Sequence, residues 1–323
     1  MASKLTKEKV GIIGSGLIGR SFAMLFAAAE YEVWLYDIEK TQLSGALEDI
    51  KAQLKELDSL QLLRGSLTAD QQFNNIKTTD NIEQCVKDAV FVHECVPERI
   101  ELKTSIYAKI DKMLSDTCIL ATSTSALQPS KLAANIERKN RFIVVHPTNP
   151  PFYAPLVELV PSPWVDSDVV PKAKAIMEKL GQVPVILKKE IEGFVFNRIQ
   201  SAVIKESWRL INDDVIDVEG LDKVMTAGLG RRYAFIGPFE TMYLNADGMY
   251  SYADWYKTML EGIMASFREP VNFLSGPELD QVQSEMEQMV PMDTLPARRN
   301  WRDKRLAAFA QLQKQMDDAE KNK

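Results

Sequence analysis

Lys9-Val-Gly-Ile-Ile-Gly14-Ser-Gly16-Leu17-Ile18-Gly19-Arg20 decides how this chain folds. An apolar run (Val10, Ile12, Ile13) leads into G-x-G-x-x-G, and apolar residues at helical spacing (Ile18, Phe22, Leu25, Phe26) follow at once. A second strand-like run, Glu32-Val-Trp-Leu-Tyr36, ends at Asp37. Strand, glycine turn, helix and a second strand closing on an acid form the βαβ spacing that holds a dinucleotide. Gly14 makes the tight turn, Gly16 admits the pyrophosphate to the backbone, and Gly19 lets helix and strand pack closely. The helix, opening at Leu17 and Ile18, turns its N-terminus toward the phosphates. Asp37 can accept from both ribose hydroxyls, and its charge repels a 2′-phosphate. That predicts NAD over NADP.

Composition bounds the rest. With 323 residues, 46% hydrophobic and 26% charged, the chain suits two domains with a substantial core and is not of disordered composition. A formal charge of −6 supplies no basic footprint for nucleic acid. Cys85, Cys95 and Cys118 are odd in number and fit neither a disulfide framework nor a zinc pattern, so buried structural thiols and no metal are expected. No hydrophobic leader precedes Lys9 and no apolar run reaches membrane-spanning length, which predicts a cytosolic protein without a membrane partner.

Strands alternating with helices imply an α/β fold, a doubly wound and mostly parallel sheet of the Rossmann type covered on both faces. Residues 39–63 favour a helix, punctuated by Arg64-Gly65-Ser66. Ala89-Val-Phe-Val-His-Glu94 reads as a strand, residues 98–114 as a helix, and Thr117-Cys-Ile-Leu-Ala121 as the next strand. Arg141-Phe-Ile-Val-Val145, Leu156-Val-Glu-Leu-Val160 and Val183-Pro-Val-Ile-Leu187 complete the set, with a helix over residues 170–180. From Phe194 the apolar spacing turns helical (Phe196, Ile199, Val203, Leu210). Gly237-Pro238 and Gly276-Pro277 break it, and residues 296–323 read as one long amphipathic helix. The expected division is a nucleotide domain over residues 1–192 and a smaller all-helical domain over residues 193–323.

Only two histidines exist, which narrows the acid-base chemistry. His93 sits inside an apolar strand and is expected to be a packed, hydrogen-bonded core residue. His146 follows Phe142-Ile-Val-Val145 and opens His-Pro-Thr-Asn-Pro-Pro151, at the carboxyl end of a strand, where ligands of open α/β sheets bind. Glu158 lies within Leu156-Val-Glu-Leu-Val160, and a carboxylate among four aliphatics needs a partner unless it points to solvent. Paired with His146 it would fix the imidazole tautomer and raise its basicity. Thr122-Ser-Thr-Ser125 follows another strand, so Ser125 can meet a reacting oxygen, although polar turns there are ordinary. Asn197, in Gly193-Phe-Val-Phe-Asn-Arg198, is a mediocre helix former near a helix start, pointing to solvent or to a ligand.

Taken together, these residues resemble the 3-hydroxyacyl-CoA dehydrogenase superfamily over nearly the whole chain, from Gly11 to about Asp303. The resemblance implies a catalytic set of Ser125, His146, Glu158 and Asn197, in that order. It also places Glu98 and Lys103, in Val96-Pro-Glu-Arg-Ile-Glu-Leu-Lys103, on the nicotinamide side of bound NAD; a first-turn acid and a solvated lysine are the plain alternatives. His146 would accept the hydroxyl proton, Glu158 would hold the ring, and Ser125 and Asn197 would bond the substrate oxygen. The fatty-acid enzymes carry His-Phe-Phe-Asn-Pro where this chain has His146-Pro-Thr-Asn-Pro, a departure that argues against acyl-CoA as substrate; the substrate the resemblance implies is a small sugar acid. For the carboxylate of such a substrate, Arg232 in Gly228-Leu-Gly-Arg-Arg-Tyr233 offers a guanidinium fork, unless Arg231 and Arg232 are simply solvated at a helix end. A homodimer through the helical domain is also implied. A CoA-ester dehydrogenase and a non-catalytic NAD-binding protein are the competing expectations.

Overall fold

Eight strands hydrogen-bond into one sheet in the order β3-β2-β1-β4-β5-β6-β7-β8. They are β1 (Lys9–Ile13), β2 (Glu32–Tyr36), β3 (Ile76–Thr79), β4 (Phe91–Glu94), β5 (Ile119–Thr122), β6 (Phe142–Pro147), β7 (Leu156–Pro161) and β8 (Val183–Ile186). The structure is a computed structural model and describes residues 7–245, 261–267, 284–285, 288 and 290–321. From β3 to β6 every pairing is parallel, as the alternating pattern requires. The step from β6 to β7 is antiparallel, because the short link over residues 148–155 cannot make a parallel crossover. The strand order turns at β1/β4, which opens a crevice at the carboxyl ends of those strands.

Two apolar layers sandwich the sheet. On one face α1 (Leu17–Ala28) and α2 (Lys40–Ser59) pack against Val10, Ile12, Val33, Leu35 and Phe91. Leu43, Ala46, Ile50, Leu54 and Leu57 recur every three or four residues, so one side of α2 is buried. The short α3 (Ala69–Asn74) follows, started by a capping box between Thr68 and Gln71. On the opposite face lie α4 (Ile82–Val86), α5 (Ile100–Ile110) and α6 (Pro129–Leu132), over Ile13, Val92, Leu120 and Phe142. Helix α7 (Val169–Lys179) returns to the first face through Val169, Ala173 and Met177. The strand β3 and helices α3, α4 and α6 were not anticipated. Each is six residues or fewer, and β3 is an edge strand burying only two of its four residues.

The chain divides into two compact units, one running to Arg198 and resuming at Asn300, the other spanning Ile199–Arg299. The compact units part within the first turn of α8 (Phe196–Asn212), a few residues past the expected 192/193, and the C-terminal helix, expected with the second domain, lies in the first unit from Asn300 onward. The reason is local. Gln311 and Lys314 of that helix (Leu295–Lys321) donate to the carbonyls of Leu60 and Gln61, and Ala307 is buried. The second unit is helical in its described part: the rest of α8, Val218–Lys223, a π-turn at Val224–Leu229, Gly230–Tyr233, Pro238–Asn245 and Glu261–Ala265. A helix starts at the expected Gly237-Pro238 break; Gly276-Pro277 lies outside the described residues.

Candidate active site

The glycine loop has the shape its sequence requires. Gly14 adopts φ +102°, and a Cβ there would meet the Cys95 carbonyl oxygen at 2.9 Å. A Cβ on Gly19 would fall 1.9 Å from the Gly14 carbonyl oxygen, so helix α1 can lie this close to β1 only as glycine. At Gly16 a Cβ would meet nothing within 4 Å, and this residue starts α1 with no side chain capping the free N–H groups. The loop therefore presents open space and unpaired donors where a pyrophosphate fits. Asp37 follows β2 and meets the same loop. Its Oδ2 accepts from Ser15 N–H at 2.8 Å and Ser15 Oγ at 2.7 Å, and Oδ1 from Glu39 N–H at 3.2 Å.

His146 and Glu158 are direct register partners across β6 and β7, which places both side chains on one face. Nδ1 of His146 lies 2.8 Å from Oε2 of Glu158. The other carboxylate oxygen accepts from the N–H groups of Val195 and Phe196, at 2.8 and 2.9 Å. Burial pushes the Glu158 carboxyl up, but the bonds from His146, Phe196 and Val195 outweigh it, so it titrates below its ordinary value. Phe194 and Phe196 flank the imidazole, with ring centroids 5.5 and 6.2 Å away. Gly193 and Phe194 both take positive φ (72° and 52°), which turns the chain so that the start of α8 meets Glu158.

The pH consequence follows by linkage. Glu158 contributes stability above the ordinary carboxyl pKa of about 4.3, and that contribution disappears as pH falls through the lower folded-state value. The melting-temperature gap between wild type and Glu158→Gln is therefore expected to narrow as pH falls below about 4. A gap that stays constant to acid pH contradicts this.

Ser125 and Asn197 converge on the same end of the sheet. Asn197 Nδ2 donates to the Ser125 carbonyl at 2.7 Å, and Ser125 N–H donates to Glu98 Oε1 at 2.9 Å. Gly193 N–H also bonds the Ala126 carbonyl at 3.3 Å. Lys103, for which a solvated position was one alternative, is 1% exposed and pairs with both Glu94 and Glu98. Sequence reasoning passed over Glu94 entirely. This carboxylate is fully buried and accepts from Val96 N–H, Lys103, Tyr107 and Thr122. The available signal was an acid closing an otherwise apolar strand, with Lys103 and Tyr107 four apart on the helix that follows.

The remaining predicted residues have plain places. Arg232 belongs to the second unit, where it is exposed; among the described residues neither it nor Arg231 makes an ion pair. His93 packs against Phe22 and Phe91, at ring distances of 4.1 and 5.9 Å. The packing agrees with expectation; neither ring nitrogen reaches full hydrogen-bond geometry, and the polar group facing the ring is the Val145 carbonyl. Burial, opposed by the Val145 carbonyl, lowers its pKa to about 3 and keeps it neutral. Cys85 and Cys118 are buried and Cys95 partly so; all are free, with burial pushing each pKa up to about 12. Among the described residues no helix is long and apolar enough to cross a membrane, and no three His, Cys, Asp or Glu residues cluster as metal ligands.

Comparison with known proteins gives the family. The 3-hydroxyacyl-CoA dehydrogenase NAD binding domain matches residues 9–191, and the 3-hydroxyacyl-CoA dehydrogenase C-terminal domain matches residues 193–272. The chain belongs to the 3-hydroxyacyl-CoA dehydrogenase family, whose members are NAD-dependent oxidoreductases of 3-hydroxy acids and their thioesters. It is 47% identical to lambda-crystallin of Oryctolagus cuniculus over 307 residues, covering 94% of this chain and 96% of that protein. It is 34% identical to L-carnitine dehydrogenase of Oceanobacillus iheyensis, covering 84% and 85%. Among solved structures, an NAD+-dependent dismutase, 5-formyl-3-hydroxy-2-methylpyridine 4-carboxylic acid 5-dehydrogenase, superposes with a TM-score of 0.80 at 26% identity, covering 95% and 98%.

Proposed function

We propose that the protein oxidises the 3-hydroxyl of L-gulonate to 3-dehydro-L-gulonate, with NAD as hydride acceptor and His146 as general base. The observation that carries the reading is the buried His146–Glu158 pair at the end of β6, locked by two backbone N–H groups from the start of α8. With Nδ1 donating to Glu158, Nε2 is the basic nitrogen free for the substrate hydroxyl proton. Glu158 orients the ring and stabilises the imidazolium that forms. Ser125 contributes its hydroxyl, and Asn197 the N–H left after its bond to the Ser125 carbonyl, to the oxygen where charge develops. Gly14, Gly16 and Gly19 with the N–H groups at Leu17 and Ile18 would hold the pyrophosphate, Asp37 the ribose, and Glu98 and Lys103 the nicotinamide side. When bound, NAD would supply the acceptor for the hydride that leaves the substrate carbon.

The choice of L-gulonate rests on likeness. His146-Pro-Thr-Asn-Pro-Pro, Pro155-Leu-Val-Glu-Leu-Val-Pro161, Arg232-Tyr-Ala-Phe-Ile-Gly-Pro238 and Ala297-Arg-Arg-Asn-Trp-Arg302 are similar to strings of lambda-crystallin, also known as L-gulonate 3-dehydrogenase. Arg232 is assigned to the substrate carboxylate. Purified protein offered L-gulonate, L-carnitine or 3-hydroxybutyryl-CoA, each with NAD or NADP, tests the reading by NADH formation. Turnover of L-gulonate with NAD supports it; turnover of the CoA ester alone moves the protein to the fatty-acid branch. NAD binding without any turnover favours the non-catalytic alternative.

Cofactor selectivity has its own test. Asp37→Ala is expected to narrow the preference for NAD over NADP by about tenfold, which corresponds to 1.4 kcal/mol. Unchanged selectivity would assign discrimination to another group. A homodimer is proposed through the helical unit, which exposes Val215, Val224, Phe235 and Phe239, the last at 74%. Light scattering is expected to give twice the 36.5 kDa chain mass, and a monomer throughout the micromolar range contradicts it.

A further inference from the structure

The least expected feature of the fold is a run of buried charge at the ends of β4 and β5. Glu94 is fully buried, and Lys103 beneath it is 1% exposed. Glu94 accepts from Val96 N–H at 2.6 Å, Thr122 Oγ1 at 2.7 Å, the Tyr107 hydroxyl, and Lys103 Nζ at 2.9 and 3.1 Å. Lys103 Nζ has three hydrogens. Beyond Glu94, Nζ donates to the Val96 carbonyl at 3.2 Å and pairs with Glu98 Oε2 at 3.3 Å. Glu98 then accepts through Oε1 from the Thr124 hydroxyl and from the N–H groups of Ser125 at 2.9 Å and Ala126 at 3.4 Å. The turn that carries Ser125 is thus held at its start by Glu94, through Thr122 and the Ser123–Glu94 backbone bond at 2.9 Å, and at its tip by Glu98.

We propose that Glu94 and Lys103 form a buried strut that fixes Glu98 and, through it, the backbone of the Ser125 turn. The part of Lys103 in this strut, set by its pairing with both carboxylates, is positional. So is that of Glu94, which lies below the surface of the site. The energetic logic favours a strut. Two charges withdrawn from water are retained only with close mutual pairing and full hydrogen bonding, which fixes their geometry far more tightly than a surface pair would. Burial, followed by the Glu94 charge, pushes the Tyr107 phenol upward, so it remains a donor to the strut. The inference rests on the reading of Ser125 as a contact to the substrate oxygen.

Hydrogen exchange and kinetics test it together on the full-length protein. Glu94→Gln keeps the shape of the side chain and removes its charge. Amide exchange in residues 123–127 is expected to speed up by about tenfold, with residues 142–147 of β6 unchanged. With L-gulonate and saturating NAD, Glu94→Gln should lower kcat by about tenfold, and Glu94→Gln/Ser125→Ala should be no slower than Ser125→Ala alone. Should Glu94→Gln fail to accumulate folded, Tyr107→Phe, which removes one of the donors, carries the same cycle. Unaltered exchange in the turn, exchange raised equally across the sheet, or losses that multiply in the double variant would overturn the strut. A Ser125→Ala protein with wild-type kcat would instead overturn the reading of Ser125 on which it rests.

Discussion

Replacing His146 by glutamine should lower kcat by about 100- to 10,000-fold, the range general-base catalysis supplies, while NAD binds within about twofold of wild type. The side chain is 7% exposed and anchored to Glu158, whereas the glycine loop is built from β1 and α1, separated from β6 by β4 and β5. Glutamine fills similar volume and can still bond Glu158, so loss of the base is separated from loss of packing. Steady-state rates with L-gulonate and fluorescence titration with NADH read the two effects independently. An active variant with weakened cofactor binding would remove His146 from its proposed role.

Lys103→Met is expected to cost about 3–5 kcal/mol of stability, because it strands the fully buried Glu94 charge without its counter-ion. At about 2–4 °C per kcal/mol for a unit of this size, the melting temperature should fall by roughly 10 °C. Adding Glu94→Gln should recover at least part of that loss, since a neutral amide needs no counter-charge. A single variant that melts like wild type would mean that water or another group already solvates Glu94. Recovery absent from the double variant would place the cost in lost packing of the lysine stem.

Much of this arrangement was legible in the chain, and the parts that were not share a cause. The nucleotide site could be read because its glycines answer to local backbone demands: a positive φ at Gly14 and a close approach at Gly19 act within one βαβ unit. The His146–Glu158 pair could be read because a carboxylate centred in an apolar strand requires a partner, and β6 and β7 are joined by a short link. Glu94 was passed over because it ends its strand, where an acid looks solvent-facing; only the packing of α5 over β4 buries it with Lys103 and Tyr107. His93 was expected to be packed and hydrogen-bonded; it is packed between aromatic rings, and the Val145 carbonyl is its polar neighbour, short of full hydrogen-bond geometry. The C-terminal helix was assigned by continuity to the preceding helices, yet it docks on carbonyls after α2, a contact 251 residues apart that periodicity does not encode.

One measurement bears most directly on the account: wild-type protein with NAD and L-gulonate carrying deuterium at C3, followed by NADH absorbance and by the mass of the NADH formed. The account predicts NADH that contains the deuterium, formed more slowly than from unlabelled L-gulonate if hydride transfer limits the rate. NADH free of deuterium would show that the hydride leaves another carbon. No NADH from L-gulonate, alongside rapid NADH formation from 3-hydroxybutyryl-CoA, would contradict the proposed substrate while leaving the NAD site intact.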